Sequence, residues 1–173
     1  MIRVADMKTL MILRHAKSDW SDERVTDHDR PLNPRGKRDA PRMGEFLRTL
    51  DLRPDLIISS TAKRARKTAA KVAKKCDYPG VIELHGSLYL APPEEYLSVL
   101  NQVDDAHQCV LVVGHNPGLE QLLALLTGCS TELPTAALAR IEIDVPRWAD
   151  LVASTRGRLI AIWLPRELEA SDV

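Results

Sequence analysis

Two arginines and two histidines in this chain each follow a short apolar run. Arg14-His15 follows Leu10-Met11-Ile12-Leu13, Arg64 lies just beyond Leu56-Ile57-Ile58-Ser59-Ser60, and His115 follows Cys109-Val110-Leu111-Val112-Val113 and Gly114. Short apolar runs bounded by polar residues read as buried strands, so all four side chains stand at strand exits. In open α/β sheets the ligand sits outside the carboxyl ends of the strands. Four cationic or hydrogen-bonding groups converging there, with no carboxylate among them, describe an anion site. The planar, bidentate donors of arginine suit phosphate in particular. Asn116-Pro117 opens the next helix, and its free N–H groups and dipole are expected to point the same way. Lys17 and Ser18, on the exit of the first run, are candidate substrate-binding residues with a solvated alternative.

The elements that must carry these residues alternate. Residues 8–13 read as a first strand, followed by a polar loop or lid over residues 17–34. Asn33-Pro34 is a helix start, with Ala40, Met43, Leu47 and Leu50 at helical spacing. Pro41 leaves two options, a helix kinked there or one that begins near Asp39. Residues 56–60 form a second strand. Residues 61–76 form a helix with Ala62, Ala65, Ala69, Val72, Ala73 and Cys76 on one face and Lys63, Arg66, Lys67, Lys71, Lys74 and Lys75 on the other. A short strand over residues 81–84 and a helix from Pro92-Pro93 come next, then a strand over 109–113. A helix of Leu119, Leu122, Leu123 and Leu126 ends at Gly128. Residues 138–145 alternate as a half-exposed strand, residues 159–164 form the last strand, and residues 167–173 read as a frayed tail. The expected fold is α/β, three-layer αβα, with a mostly parallel central sheet carrying an antiparallel edge strand. The expected organisation is one domain over residues 1–173. Met7 directly precedes the first strand, so residues 1–6 are expected to be a dispensable extension, with the start at Met1 or Met7 left open.

Composition narrows the classes. The chain has 173 residues, is 45% hydrophobic but only 4% aromatic, and balances 24 Lys and Arg against 24 Asp and Glu. Zero net charge and no aromatic beside the basic helix face disfavour nucleic acid. No apolar run reaches the ~20 residues of a membrane span, and the run at residues 9–13 is too short for a signal-peptide core. Cys76, Cys109 and Cys129 form neither a disulfide framework nor a zinc-type pair, which suits a reducing cytoplasm. No metal-ligand cluster is visible, so no metal or cofactor is expected.

Four motifs in order carry a resemblance over most of the chain. They are Arg14-His15-Ala16, Asp29-Arg30-Pro31-Leu32 with Gly36, Ser60-x-x-x-Arg64-Ala65-x-x-Thr68, and Val113-Gly114-His115-Asn116. Together they resemble the histidine phosphatase superfamily, the phosphoglycerate mutase-like group. The short length and the Arg-His-Ala-Lys-Ser start are most similar to its compact, SixA-like phosphohistidine phosphatase branch. The resemblance implies that His15 is a nucleophile forming a phosphohistidine intermediate. It implies that Arg14 and Arg64 neutralise phosphoryl oxygens and that His115 donates to one. In such transfers positioning and charge stabilisation supply most of the catalysis.

Two positions depart from the family pattern. Ala16 replaces a common glycine by another small residue. The general acid that many relatives carry after the third β-segment is missing from His85-Gly86-Ser87-Leu88-Tyr89-Leu90-Ala91; Glu94 and Glu95 come next and equally serve a helix start. Without an acid, an alkoxide leaves poorly, whereas an imidazole, whose conjugate acid has a pKa of about 6.5, leaves readily. The expectation is therefore a phosphatase acting on phosphohistidine in a protein. A small-phosphomonoester phosphatase using Glu94 or Glu95 is the alternative, and a non-catalytic phosphate- or phosphoprotein-binding module is the rival of another class. A phosphorylated protein or small phosphorylated substrate is the expected partner, with no nucleic acid and no membrane; oligomeric state is left open.

The remaining candidates have plainer readings. His28, His85 and His107 are expected as loop histidines, and Asp29-Arg30-Pro31 as a shaper of the loop over the pocket. The lysine-rich face of residues 61–76 is a solvated surface or a docking face for an acidic partner. Trp148 and Trp163 read as packing, and Trp20 as the aromatic placed to touch substrate.

Overall fold

A computed structural model describes residues 7–168, and the extension and tail expected at residues 1–6 and 169–173 lie outside them. Six strands form one sheet in the order β3-β2-β4-β1-β5-β6. They are β1 Met7–Arg14, β2 Leu56–Ser60, β3 Glu83–His85, β4 Cys109–Gly114, β5 Leu138–Asp144 and β6 Gly157–Trp163. The helices are α1 Pro34–Thr49, α2 Lys63–Lys75, α3 Pro93–Leu100 and α4 Gly118–Thr127.

Strand side chains alternate between faces, and the central strands are apolar on both, as a sheet covered on both sides requires. Leu10, Ile12, Ile58, Val110, Val112 and Ile141 pack with Tyr96, Leu100, Leu119, Leu122 and Leu126 of α3 and α4. Met11, Leu13, Ile57, Leu111 and Val113 pack on the other face with Met43, Leu47, Ala65, Ala69 and Val72 of α1 and α2. The fold is a three-layer α/β fold, as expected.

The details differ in four places. The antiparallel strand β5 is internal, paired with β1 on one side and β6 on the other, so β6 is the outer edge. β3 starts two residues late, because Val81 is exposed and only Glu83, Leu84 and His85 find partners on β2. α1 begins at Pro34, with Asn33 Oδ1 accepting from the Gly36 N–H at 2.9 Å, and carries Pro41 inside it; the later start is excluded. Glu167 closes a 3-10 turn and Leu168 is buried, because its side chain completes the α1/α2 core and its carbonyl accepts from Arg42.

α4 ends as its sequence requires, at Gly128 with φ of 73°. No described helix is long and apolar enough to cross a membrane.

Candidate active site

Parallel pairing of β1 with β4 aligns Arg14 with Gly114, and β2 flanks β4 with Ser59 opposite Val113. Three neighbouring strands therefore release His15, His115 and Ser60 at the same end of the sheet. The backbone continues the register, since the His15 N–H donates to the Gly114 carbonyl at 3.1 Å. Arg64 reaches the same place from the first turn of α2. Arg14, His15, Lys17, Ser18, Arg64 and His115 all line one cavity of about 430 Å³.

His15 is buried, and its two ring nitrogens have distinct environments. Nδ1 lies 2.8 Å from the Ala16 carbonyl, which can only accept, so Nδ1 carries the hydrogen. Nε2 then presents its lone pair, and Arg64 Nε donates to it at 3.2 Å. Burial pushes the His15 pKa down to about 4, with Arg64 and Arg14 adding to the effect against the Ala16 hydrogen bond. The ring is neutral at pH 7.

His115 stands beside it, ring centroids 5.1 Å apart. Its Nε2 is 2.8 Å from the hydroxyl of the fully buried Ser60, while Nδ1 faces Arg64 Nη2 at 3.5 Å. Arg64 Nη2 can only donate, so the Nδ1 it faces carries the lone pair, and Nε2 carries the hydrogen that Ser60 Oγ accepts, which fixes the ring. Burial, then His15 and Arg64, push the His115 pKa down to about 3. Arg14 donates Nη1 to the Leu133 carbonyl at 3.0 Å, and its buried Nε has no partner. A half-buried guanidinium with an unspent donor suits an anion.

The cavity also contains a carboxylate, which the sequence pattern did not lead us to expect. Asp27 lines it, bonded through Oδ2 to Arg64 Nη2 at 3.1 Å and through its carbonyl to Nη1 at 2.6 Å. Tyr89 donates its hydroxyl to the same Oδ2. Burial alone would raise the Asp27 pKa, but the Tyr89 hydrogen bond and Arg64 more than offset it and hold the carboxyl below its ordinary value. Asp27 reaches the site because its loop folds back, with Ser18 bridging to Leu32. The one signal for it in the sequence is its place in the loop between the first strand exit and Arg30-Pro31.

Glu94 and Glu95 occupy the first turn of α3 and do not line the cavity. Neither do His28, His85 and His107. His28 Nε2 pairs with Thr61, His85 with Glu83, and the His107 carbonyl accepts from Trp148. From the segment opening α4 it is Asn116 that lines the cavity, while the Leu119 N–H is spent on the His115 carbonyl. Trp20 stands largely exposed at the mouth, its Nε1 donating to Ser18 Oγ at 3.0 Å and Arg30 stacked over its ring at 4.0 Å. Arg30 therefore shapes the loop, as expected. Trp148 is fully buried, and Trp163 packs edge-on to Phe46.

Two devices hold the Arg14–Ser18 turn. Thr68 Oγ1 accepts from the Ala16 N–H at 3.0 Å and donates to the Arg64 carbonyl at 2.7 Å, tying the His15 turn to α2. Gly36 lets α1 approach so closely that a Cβ there would lie 2.2 Å from the Lys17 carbonyl oxygen. Among the described residues no group of three His, Cys, Asp or Glu side chains is placed to hold a metal ion.

Known proteins are similar to this chain in sequence and in fold. Residues 10–86 match the family model of the histidine phosphatase superfamily, branch 1. An uncharacterized protein of Mycobacterium tuberculosis is 35% identical over 165 residues, covering 89% of this chain and 100% of the relative. The crystal structure of a protein assigned as phosphohistidine phosphatase SixA from Agrobacterium tumefaciens superposes with a TM-score of 0.78 at 31% identity, covering 91% of this chain and 98% of that one. The protein histidine phosphatase SixA complexed with tungstate shares the fold at a TM-score of 0.79 and 21% identity, covering 93% and 99%. Sequence, fold and the convergence of two arginines with two histidines agree: the chain belongs to the histidine phosphatase superfamily.

Proposed function

We propose that this phosphatase hydrolyses phosphohistidine carried by a protein, through a covalent intermediate on His15. The observation that carries the reading is the pairing of a neutral His15 Nε2 lone pair with a cavity whose lining carboxylate, Asp27, is held ionised by Tyr89 and Arg64. A nucleophile is present and a protonated carboxylic acid is not.

In the first step Nε2 of His15 bonds to phosphorus as the P–N bond to the substrate imidazole breaks. Arg14, Arg64 and His115 surround the phosphoryl oxygens, and the two guanidiniums supply fixed positive charge where negative charge is concentrated. The leaving imidazole takes its proton from solvent, which its conjugate-acid pKa of about 6.5 allows. In the second step water attacks phosphorus, the His15 N–P bond breaks and phosphate leaves. The Ala16 carbonyl holds the Nδ1–H through both steps and keeps Nε2 aimed. Lys17 and Ser18 bind substrate at the cavity mouth. The similar Agrobacterium tumefaciens protein bears the name phosphohistidine phosphatase, which supports the same substrate class. The three free cysteines suit a cytoplasmic setting.

The experiment is a metal-free substrate panel with a phosphoenzyme trap. Phosphohistidine peptide is turned over well and sugar phosphates poorly, and labelled phosphoramidate leaves acid-labile label on the wild type but none on His15→Ala. Preference for the sugar phosphate would overturn the substrate, and absence of label from the wild type would overturn the covalent step.

A further inference from the structure

A second basic feature lies beside the catalytic cavity. Arg35, Arg38 and Arg42 project from α1 at steps of three and four, on one helical face. Across from them stand Pro134, Thr135, Leu164, Pro165 and Arg166, and together with Asp39 these enclose a cleft of about 190 Å³. The lining holds four arginines and one carboxylate.

The charge is poorly compensated among the described residues. Asp39 is shared, with Oδ1 at 3.4 Å from Arg38 Nε and Oδ2 at 3.8 Å from Arg35 Nε. Arg42 donates to the Leu168 carbonyl, Arg35 to the Thr135 hydroxyl at 3.0 Å, and Arg166 reaches only the exposed Glu167 at 3.9 Å. Among the described residues, and counting Glu167, two carboxylates face four guanidiniums. The first turn of α1 carries no acidic residue at all, although a helix start favours negative charge and disfavours Arg35 there. Folding alone gains little from this arrangement, whereas a bound anion would relieve it.

The cleft is joined to the catalytic cavity by Thr135, which lines both. Its neighbour Ala136 donates its backbone N–H to the carbonyls of Arg14 and His15. A ligand whose phosphoryl group sits at His15 can therefore extend past Thr135 onto the arginines.

We infer that the Arg35, Arg38, Arg42 and Arg166 cleft is a subsite for a second anionic group on the substrate, a carboxylate or phosphate displaced from the phosphoryl group being removed. The inference rests on the phosphatase reading. In a phosphohistidine peptide the second anion is a neighbouring Asp or Glu side chain; in a small substrate it is a second phosphate.

The test uses Arg38→Gln together with Arg166→Gln, two exposed side chains whose ion pairs among the described residues are those with Asp39 and Glu167. Against a phosphohistidine peptide with flanking Asp residues the double variant shows a KM raised about fivefold with kcat unchanged, as the loss of two surface-type ion pairs predicts. KM for the same peptide with Asn in place of Asp, and for phosphoramidate, stays at the wild-type value. A small bisphosphate affected in place of the Asp peptide assigns the subsite to small substrates. Equal changes on all substrates, or none on either dianionic probe, overturn the inference. A separate arm measures binding of an unphosphorylated Asp-rich peptide by fluorescence anisotropy. Binding that weakens with salt and with the double variant supports the subsite even if phosphohistidine is not turned over, while wild-type binding unaltered by the variant overturns it.

Discussion

Asp27 holds both outer nitrogens of Arg64, with its carboxylate 3.1 Å from Nη2 and its carbonyl 2.6 Å from Nη1. The guanidinium that faces His15 is thus already engaged by an anionic side chain. A phosphoryl group arriving at His15 has to share Arg64 with that carboxylate.

Substituting Asp27→Asn removes the competing charge and keeps the backbone contact. Inorganic phosphate then binds about three- to tenfold more tightly, the effect of removing one like charge at a partly solvated site. Calorimetric titration with phosphate checks this; weaker binding would show that Asp27 serves mainly to orient Arg64.

The histidines set the acid limb. An unfolded histidine titrates near 6.5, whereas His15 does so at about 4 and His115 at about 3 in the folded chain. Between those values and 6.5 the unfolded state binds more protons, so stability is full above pH 6.5 and falls as pH drops through the window. Imidazole ¹⁵N shifts of His15 should remain those of the neutral Nδ1–H tautomer at pH 5, and urea midpoints should decline from pH 7 to pH 5. A His15 titration midpoint near 6.5 would contradict the burial argument.

Ser60 acts through His115, to which it is hydrogen-bonded at 2.8 Å in a fully buried setting. Ser60→Ala leaves Nε2 of His115 without its partner, and kcat should fall about tenfold, roughly the 1–2 kcal/mol of a buried hydrogen bond. Ser60→Thr should restore part of it. Equal losses in both variants, accompanied by a large drop in melting temperature, would point to folding alone.

Gly36 is a steric requirement. In Gly36→Ala the new Cβ meets the Lys17 carbonyl oxygen at 2.2 Å, and backbone on both sides leaves no side chain to move aside. Thermal unfolding should show a loss of about 1–3 kcal/mol, with the Arg14–Ser18 turn displaced and activity reduced beyond the loss of folded protein.

Glu94 and Glu95 provide the contrast. They sit in the first turn of α3, away from the cavity, where their charge favours the helix start by about 0.3–1 kcal/mol each. Replacing both with Gln should change turnover of phosphohistidine peptide and sugar phosphate less than about twofold, an effect too small for a lost general acid. A loss confined to the sugar phosphate would revive the small-ester reading.

Much of the fold is legible in the sequence because β1, β2 and β4 are continuous apolar runs with polar exits, with His15 and His115 directly at those exits and Arg64 in the helix turn that follows. Arg14, His15, Arg64 and His115 group together on the amino-acid pattern alone for that reason. β3 is misplaced by the pattern because an edge strand of three paired residues has little burial to mark it, and Val81 is apolar in solvent. β5 reads as an edge since its Arg140, Glu142 and Asp144 face alternates with apolar residues, yet pairing with β6 covers its free side. Asp27 is illegible for a different reason. Its position depends on a loop closed by the Ser18–Leu32 bridge and on Tyr89, 62 residues away, and no local pattern encodes such a meeting.

The alignment of Arg14 with Gly114 across β1 and β4 divides the molecule's labour. Because His15 and His115 issue from adjacent central strands, the spacing between their backbones is set by the ladder itself. Trp20, Asp27 and Leu90, which share the cavity, all belong to connecting segments. A lineage can therefore rewrite what this enzyme accepts by editing its connectors, with the reacting pair held to strand-to-strand tolerance underneath.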